Sequence, residues 1–320
     1  GASSNCPPHL SAIAKHMGIK INLEAWQRLG HDIPLLVNCK PAGEHLMERF
    51  YKAGGIPAVM QELVKQKKLH TSVLTVSGKT VGENLKIKIQ LDSDVIKSFA
   101  DPVVENAGFI VMRSNFFNSA VMKTSVISEE FRERYLSNPK HPNAFEAKAV
   151  VFEGPEDYHH RINSSKLKID KHSILIIRGC GPVGYPGSAE VVNMQPPNKL
   201  LRQDINALPT LGDGRQSGTS ESPSILNVSP ESAIGGDLGI VKTGDKMRID
   251  LNKRRVDLLI STAEFKRRRR LRKIPKLNNQ TPWQEIARGN VGQLEDGACI
   301  NSVGVYLDIT KKKGMPRNSH

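Results

Sequence analysis

The sequence predicts an α/β fold class followed by a mainly β part, and three observations carry that reading. In the first third, short apolar runs alternate with segments of helical periodicity, the pattern of strands and helices stacked in layers. Beyond about residue 117, short β-rich runs separated by Gly, Asp, Asn and Lys turns replace that alternation. At 320 residues, with 38% hydrophobic and 24% charged, the chain is long enough for two domains with sizeable cores.

The elements follow in order. His9 to His16 carries apolar residues at helical spacing, and Asn22 is placed to cap a second helix, LEAWQRLG, closed by Gly30. IPLLVN, Ile33 to Asn38, is a continuous apolar run that reads as a buried strand. GEHLMERFYKAGG and IPAVMQELVKQKK are helical segments split by Gly54 and Gly55, with Pro57 in a first turn, and Val73 to Val76 reads as another strand. From Gly108, FIVMRSNFFNSAVMKTSV reads as a loop-like crossing and SEEFRERYL as a short capped helix. The strands expected after it are KAVVFEG, HSILIIRG, LGIVKTG, KMRIDLN and RRVDLLIS, forming a β-barrel or a sandwich. TPWQEIARGNVGQL reads as a helix starting at Thr281 with Pro282 in its first turn, and the polar tail KKKGMPRNSH is expected to fray. The opening GASSNCPPHL has no initiator Met and no basic and apolar targeting pattern; it reads as an internal loop running into a helix, so a missing N-terminal part is expected.

Charge and cysteines narrow the function classes. The net charge of +14 invites a nucleic-acid partner, but Lys266 to Lys273 (KRRRRLRK) holds seven basic residues, half of that excess. No aromatic interrupts the run, so it offers no stacking platform for bases; a solvated basic helix end is favoured, with a polyanion contact as the alternative. A nucleic-acid partner is not expected. No apolar run approaches the ~18 residues of a membrane span. Cys6, Cys39, Cys180 and Cys299 lie far apart with no CxxC pair, which argues against a zinc site or a disulfide framework and suits a reducing compartment.

Two nucleotide fingerprints fail on inspection. Ser77-Gly78-Lys79-Thr80 resembles the end of a phosphate-binding loop, but the glycine required five residues before Gly78 is Val73. Gly179 to Gly184 satisfies GxGxxG, yet Pro182, Pro186 and Gly187 oppose the helix that must open there. What remains is a pair of Gly-rich loops. The first, GCGPVGYPGSAE, either delivers Glu190 to a site or places it in a helix first turn, where the dipole favours a carboxylate. The second, DGRQSGT, flanks Ser217 and Thr219 with glycines; without a His partner, Ser217 becomes a base only if a positive centre such as a metal lowers its pKa.

VGYPGSAEVVNM, DGRQSGTSESPSILNVSPESAIGG, TGDKMRIDLNKRRVDLLIS, KPAGEHLMERFYKAGGIPAVMQEL, LTVSGKTVGEN and the opening GASSNCPPHLSAIAKHMGI together resemble the dihydroxy-acid and sugar-acid dehydratase family, over essentially the whole chain. The GYPG-x-AEV and DGR-x-SGT wording leans toward the pentonate and related sugar-acid branch, and the resemblance as a whole also takes in branched-chain amino acid biosynthesis. The resemblance implies residues 1–117 as the C-terminal part of an α/β catalytic domain and 118–320 as a smaller, swivelling β-barrel domain carrying the serine base. It implies a hydro-lyase that converts a 2,3-dihydroxy carboxylic or sugar acid into a 2-keto acid, with Mg2+ and an iron–sulfur cluster, 2Fe-2S in preference to 4Fe-4S, as cofactors; the alternative is a non-catalytic relic or a polyanion-binding module acting through Lys266 to Lys273. Glu190 then becomes a magnesium ligand, Ser217 the base, and Thr219 its support or a substrate contact. The cluster cysteines belong to a half not present in this chain, and Cys6 is assigned no ligand role. A homodimer or tetramer is implied, and a cytoplasmic location is expected, with a mitochondrial one as the alternative. The opening departs from the family's GGSTNA-x-x-H at Ala2, Ser4 and Cys6.

Overall fold

The structure is a computed structural model that describes residues 2–216, 222–274 and 281–313, with side chains described as far as residue 308. Contacts divide it into two compact units, one made of residues 29–108 with 124–126, the other of residues 2–28, 109–123 and 127 onward. The chain opens with helices α1 (Cys6–His16) and α2 (Leu23–Gly30), followed by α3 (Met47–Lys52), α4 (Gly55–Lys65) and the single turn α5 (Val81–Asn84). Asn22 sits where a cap was expected, its Oδ1 accepting from Glu24 N at 3.0 Å. Among the described residues no helix is long and apolar enough to cross a membrane.

The first unit is helical around a small core of Cys39, Phe50, Ala53, Ala58, Val95 and Ile96. The two strands expected here are isolated bridges instead: Leu35 meets Val104, Val37 meets Ile96, and Leu74 meets Thr80. A ladder needs consecutive pairs, and the partners turn away after one. Val95 N and Ile96 N bond back to Asp92 O, and Gly78 N closes on Thr75 O. The SGKT segment is that tight turn, leading into α5 through a reciprocal cap between Thr80 and Glu83.

The second unit is built on a closed barrel of eight strands. They are β1 (Phe109–Ser114), β2 (Ser119–Lys123), β3 (Ala144–Glu153), β4 (Ser173–Arg178), β5 (Thr210–Gly212), β6 (Ser224–Ser229), β7 (Lys246–Asp250) and β8 (Arg255–Leu258). Around the cylinder the order is β1-β2-β6-β5-β4-β3-β7-β8, and β8 returns to β1. The run β3-β4-β5-β6 is parallel; β1 also pairs β8 in parallel, and the other pairings are antiparallel. Alternate residues fill the interior: Ile110, Met112, Ala149, Ile174, Ile176, Leu211, Met247 and Val256 are among them. The intervening residues of β3 and β4, such as Val150, Phe152, Leu175 and Ile177, pack on the outside with Tyr158 and Leu200. Helices α7 (Pro155–Arg161) and α8 (Asn198–Leu201) carry those last two. Burial on both faces explains why KAVVFE and SILIIR read as unbroken apolar runs.

The barrel settles one alternative and changes several local readings. FIVMRSNFFNSAVMK is the hairpin β1–β2, with Phe116 and Phe117 buried in its turn. LGIVKTG is not a strand; a 3-10 turn at Asp237–Ile240 folds Leu238 and Val241 into the interior. β5 and β6 were not anticipated. SEEFRERYL is capped as expected, Ser128 Oγ accepting from Phe131 N, with a helical turn, α6 (Glu129–Phe131), that widens into a π turn over Arg132–Leu136. The barrel begins at Phe109, ahead of the boundary set near 117, and residues 2–28 cluster with it. After the barrel come α9 (Thr262–Leu271), α10 (Pro282–Asn290), capped by Thr281 as expected, and α11 (Val303–Lys313).

Ile176 is fully buried at the centre of β4. Ile176→Ala is expected to destabilise the unit by about 2–5 kcal/mol, seen in urea denaturation as a lower midpoint with an unchanged slope.

Candidate functional site

Parallel neighbours send their following loops out at the same end of a sheet. The loop after β4 begins at Gly179, the loop after β5 at Asp213, and the turn after β6 carries Glu231 and Ser232, so these three segments meet at one rim of the barrel.

Two buried carboxylates hold that rim. Asp213 accepts from Gly179 N at 3.1 Å, Cys180 N at 2.8 Å, Ser232 N at 2.9 Å and Ser232 Oγ at 2.6 Å. Glu231 accepts from Val183 N at 3.0 Å, Gly184 N at 2.8 Å and Gln293 Nε2 at 2.7 Å. Burial raises the Glu231 pKa, against the lowering effect of those donors. Gly181 lets the loop lie on this carboxylate: a Cβ there would sit 2.5 Å from Glu231 Oε2. Gly214 similarly passes over Cys180, where a Cβ would meet the Cys180 Cβ at 2.9 Å. The GxGxxG stretch forms turns and no helix.

On this base the two loops lie side by side. Glu190 and Arg215 form a parallel bridge, and Val192 N donates to Arg215 O at 3.0 Å. Glu190 therefore sits in extended backbone rather than in a helix first turn. Its side chain is 28% exposed, and its Oε1 lies 3.7 Å from Arg215 Nη1. Arg215 Nε donates to Ser188 O at 2.8 Å, which fixes the guanidinium. The opening segment enters as well: Asn5 Nδ2 donates to Glu190 Oε1, and Arg215 Nη1 lies 3.3 Å from His9 Nε2. Ser217 and Thr219 lie outside the described residues; Gln216, which precedes Ser217, is buried.

Sequence reasoning singled out Glu190, Ser217 and Thr219 but not Asn5, His9, Asp213, Arg215 or Glu231. An acid between glycines, as in LGDGR, was the available signal for Asp213.

Among the described residues no group of three or more His, Cys, Asp or Glu side chains is placed to hold a metal. Magnesium is commonly bound through one or two carboxylates, with water and substrate oxygens completing its shell. Glu190 suits that limited role: it is a partly exposed carboxylate whose hydrogen bond from Asn5 and nearest approach to Arg215 both fall on Oε1. An iron–sulfur cluster finds no thiolate set here. Cys39 packs in the first unit's core, Cys299 is buried with its Sγ 3.8 Å from Ala12 O, and burial followed by the Asp213 charge drives the Cys180 pKa well up. Cys6 lies near Lys123, whose ammonium donates to Ala2 O at 3.2 Å and whose pKa burial lowers.

The basic run is less available than its composition suggests. On α9, Arg267 and Arg268 bond Glu264 and hold its carboxyl at about 2, and Arg268 also pairs with the half-buried Asp245. Arg269 and Arg272 reach Asp237 at 3.4 and 2.6 Å. Four arginines of the run are thus tied to carboxylates of their own unit.

Comparison with known proteins gives a consistent result. Residues 94–298 match the family described as "Dihydroxy-acid/6-phosphogluconate dehydratase C-terminal", and residues 1–84 match its N-terminal counterpart. D-xylonate dehydratase of Caulobacter vibrioides is 52% identical over 322 residues, covering 100% of this chain and 53% of that protein. L-arabinonate dehydratase of Rhizobium leguminosarum bv. trifolii is 40% identical over 84% of this chain and 45% of its own length. Dihydroxy-acid dehydratase of Ignicoccus hospitalis is 35% identical over 84% of this chain and 46% of its own length. The chain spans about half the length of these curated relatives.

Asp213→Asn replaces an acceptor with a donor facing backbone N–H groups. We expect a loss of about 2–3 kcal/mol or more, measured by urea denaturation, and faster proteolysis within the loop after β4. Glu231 makes a separate prediction. Its folded form holds the proton more tightly than the unfolded chain does, so its contribution to stability is fully present below 4.5 and declines as pH rises through the raised folded value. Glu231→Gln should flatten that decline in a pH series of melting temperatures.

Proposed function

Since the chain belongs to the dihydroxy-acid/6-phosphogluconate dehydratase family, we propose that it is part of a hydro-lyase that dehydrates a sugar acid of the D-xylonate class. A branched 2,3-dihydroxy acid is the alternative substrate. The observation that carries this reading is the juxtaposition of Glu190 with Arg215, two residues before Ser217, at the carboxyl ends of adjacent parallel strands. The 52% identity to D-xylonate dehydratase over the whole chain favours the sugar acid.

Dehydration removes the C2 proton and the C3 hydroxyl of the acid, lost overall as one molecule of water, and leaves an enol that tautomerises to the 2-keto acid. Ser217 acts as the base, accepting the C2 proton at its Oγ, and Thr219 hydrogen-bonds Ser217 or the substrate. Glu190 would hold magnesium. When bound, that ion would supply a positive centre beside the substrate, of the kind a lone serine needs to become acidic enough to ionise. Arg215 keeps the Glu190 carboxylate in place, and the Asp213 and Glu231 anchors keep both loops from drifting. The described residues give no thiolate set for an iron–sulfur cluster, so no step on this chain is assigned to one. In the same reading, the part of the chain ahead of the barrel, which begins at Phe109, is the tail of a larger catalytic domain, the barrel is a smaller swivelling domain, and the protein is a homo-oligomer.

The test is turnover of D-xylonate by the intact protein reconstituted with iron, sulfide and magnesium. Ser217→Ala is expected to lower kcat by about 10²–10⁴-fold with little change in KM, the range for loss of a general base. Normal turnover by that variant would remove Ser217 from the mechanism.

A further inference from the structure

The Asn5 side chain is used at both ends. Its Nδ2 donates to Glu190 Oε1 and lies 3.4 Å from Gln216 O, while its Oδ1 accepts from Arg215 Nη1 at 3.4 Å. One short amide thus touches the first loop at Glu190 and the second loop at the two residues that lead into Ser217. Nothing else among the described residues bonds a Glu190 oxygen except the more distant Arg215, and both approach the same oxygen. Among the described residues, the hydrogen bond that Glu190 accepts falls on Oε1.

The amide is itself held in place. Asn5 precedes α1, and residues 2–28 are bound into the barrel unit at several independent points. Lys123 Nζ bonds Ala2 O, Gln27 Oε1 accepts from Val111 N at 2.9 Å, Arg113 pairs with Glu24, and Trp26 meets Phe109 edge-on at 5.9 Å between centroids. Gly297 lets the chain pass close to α1, since a Cβ there would fall 2.5 Å from Ala12 N. Asn5 is therefore delivered by a braced helix start rather than by a loose terminus.

We propose that Asn5 is a positioning residue for the candidate site: it fixes the Glu190 carboxylate through Oε1 and ties it to Arg215 and to the Gln216 carbonyl. Asparagine is suited to the task because it offers a donor and an acceptor on one planar group. Aspartate would lose the donor and set a second carboxylate against Glu190. This inference rests on the reading of Glu190 as a metal ligand.

The experiment titrates Mn2+ into the intact protein by electron paramagnetic resonance and, in parallel, measures kcat and KM for D-xylonate. Glu190→Gln, Asn5→Ala and Asn5→Asp are compared with the unaltered protein. Loss of a group that orients a metal ligand costs about 10–100-fold in affinity or activity. Asn5→Ala is expected to weaken Mn2+ binding and lower kcat in that range, with KM within about twofold of normal by the same argument. Asn5→Asp, which keeps the shape and the bond from Arg215, is expected to lower kcat as well, so a folding defect in the alanine variant does not decide the matter. If Glu190→Gln loses Mn2+ affinity while both Asn5 variants keep normal affinity and turnover, the role of Asn5 is overturned and that of Glu190 stands. If Glu190→Gln binds Mn2+ normally, both are overturned.

Discussion

The candidate site depends on one buried carboxylate. The backbone N–H groups that begin the loop after β4 have no strand to pair with, and Asp213 takes two of them, together with the amide and hydroxyl of Ser232. An acceptor-only group with several lone pairs is the natural hub for converging donors. Because Asp213 itself starts the loop after β5, it joins three strand ends into one plate. Glu231 extends that plate under Val183 and Gly184. The polar side chains above it, Glu190 and Arg215, can be placed because the backbone below them has few ways to move.

Part of this arrangement was legible in the sequence. β3, β4, β7 and β8 announced themselves as apolar runs between turn residues, and two of them are unbroken because both faces are buried. The β1–β2 hairpin was not legible, because its turn buries Phe116 and Phe117 where a polar turn signal is expected. β5 is three residues long, too short to display a period. LGIVKTG misled in the opposite sense: its apolar residues fill the barrel from a 3-10 turn, and a hydrophobic run alone does not distinguish the two. The runs in the first unit have strand composition but meet partners that offer only single bridges.

At the site, glycine content and the resemblance together pointed to Glu190 and to the loop of Ser217. The contacts that organise them were out of reach for a simple reason: Asn5 and Glu190 are separated by 185 positions, and Cys180 and Asp213 by 33. Pairwise contacts at such separations leave no periodicity to read. The basic run shows the same limit. Its charge is plain in the sequence, but Asp237 and Asp245, which pair with its arginines, lie upstream beyond any local window.

The closure of β8 onto β1 has a consequence for how this unit can meet other molecules. An open sheet ends in a row of unpaired peptide groups, a ready template for an added strand. A cylinder has none, so recognition of the barrel must be written in side chains and in the lengths of the loops at its rims. Those loops can be lengthened or rebuilt without unzipping a backbone ladder, which leaves the rim free to change its chemistry while the staves stay as they are.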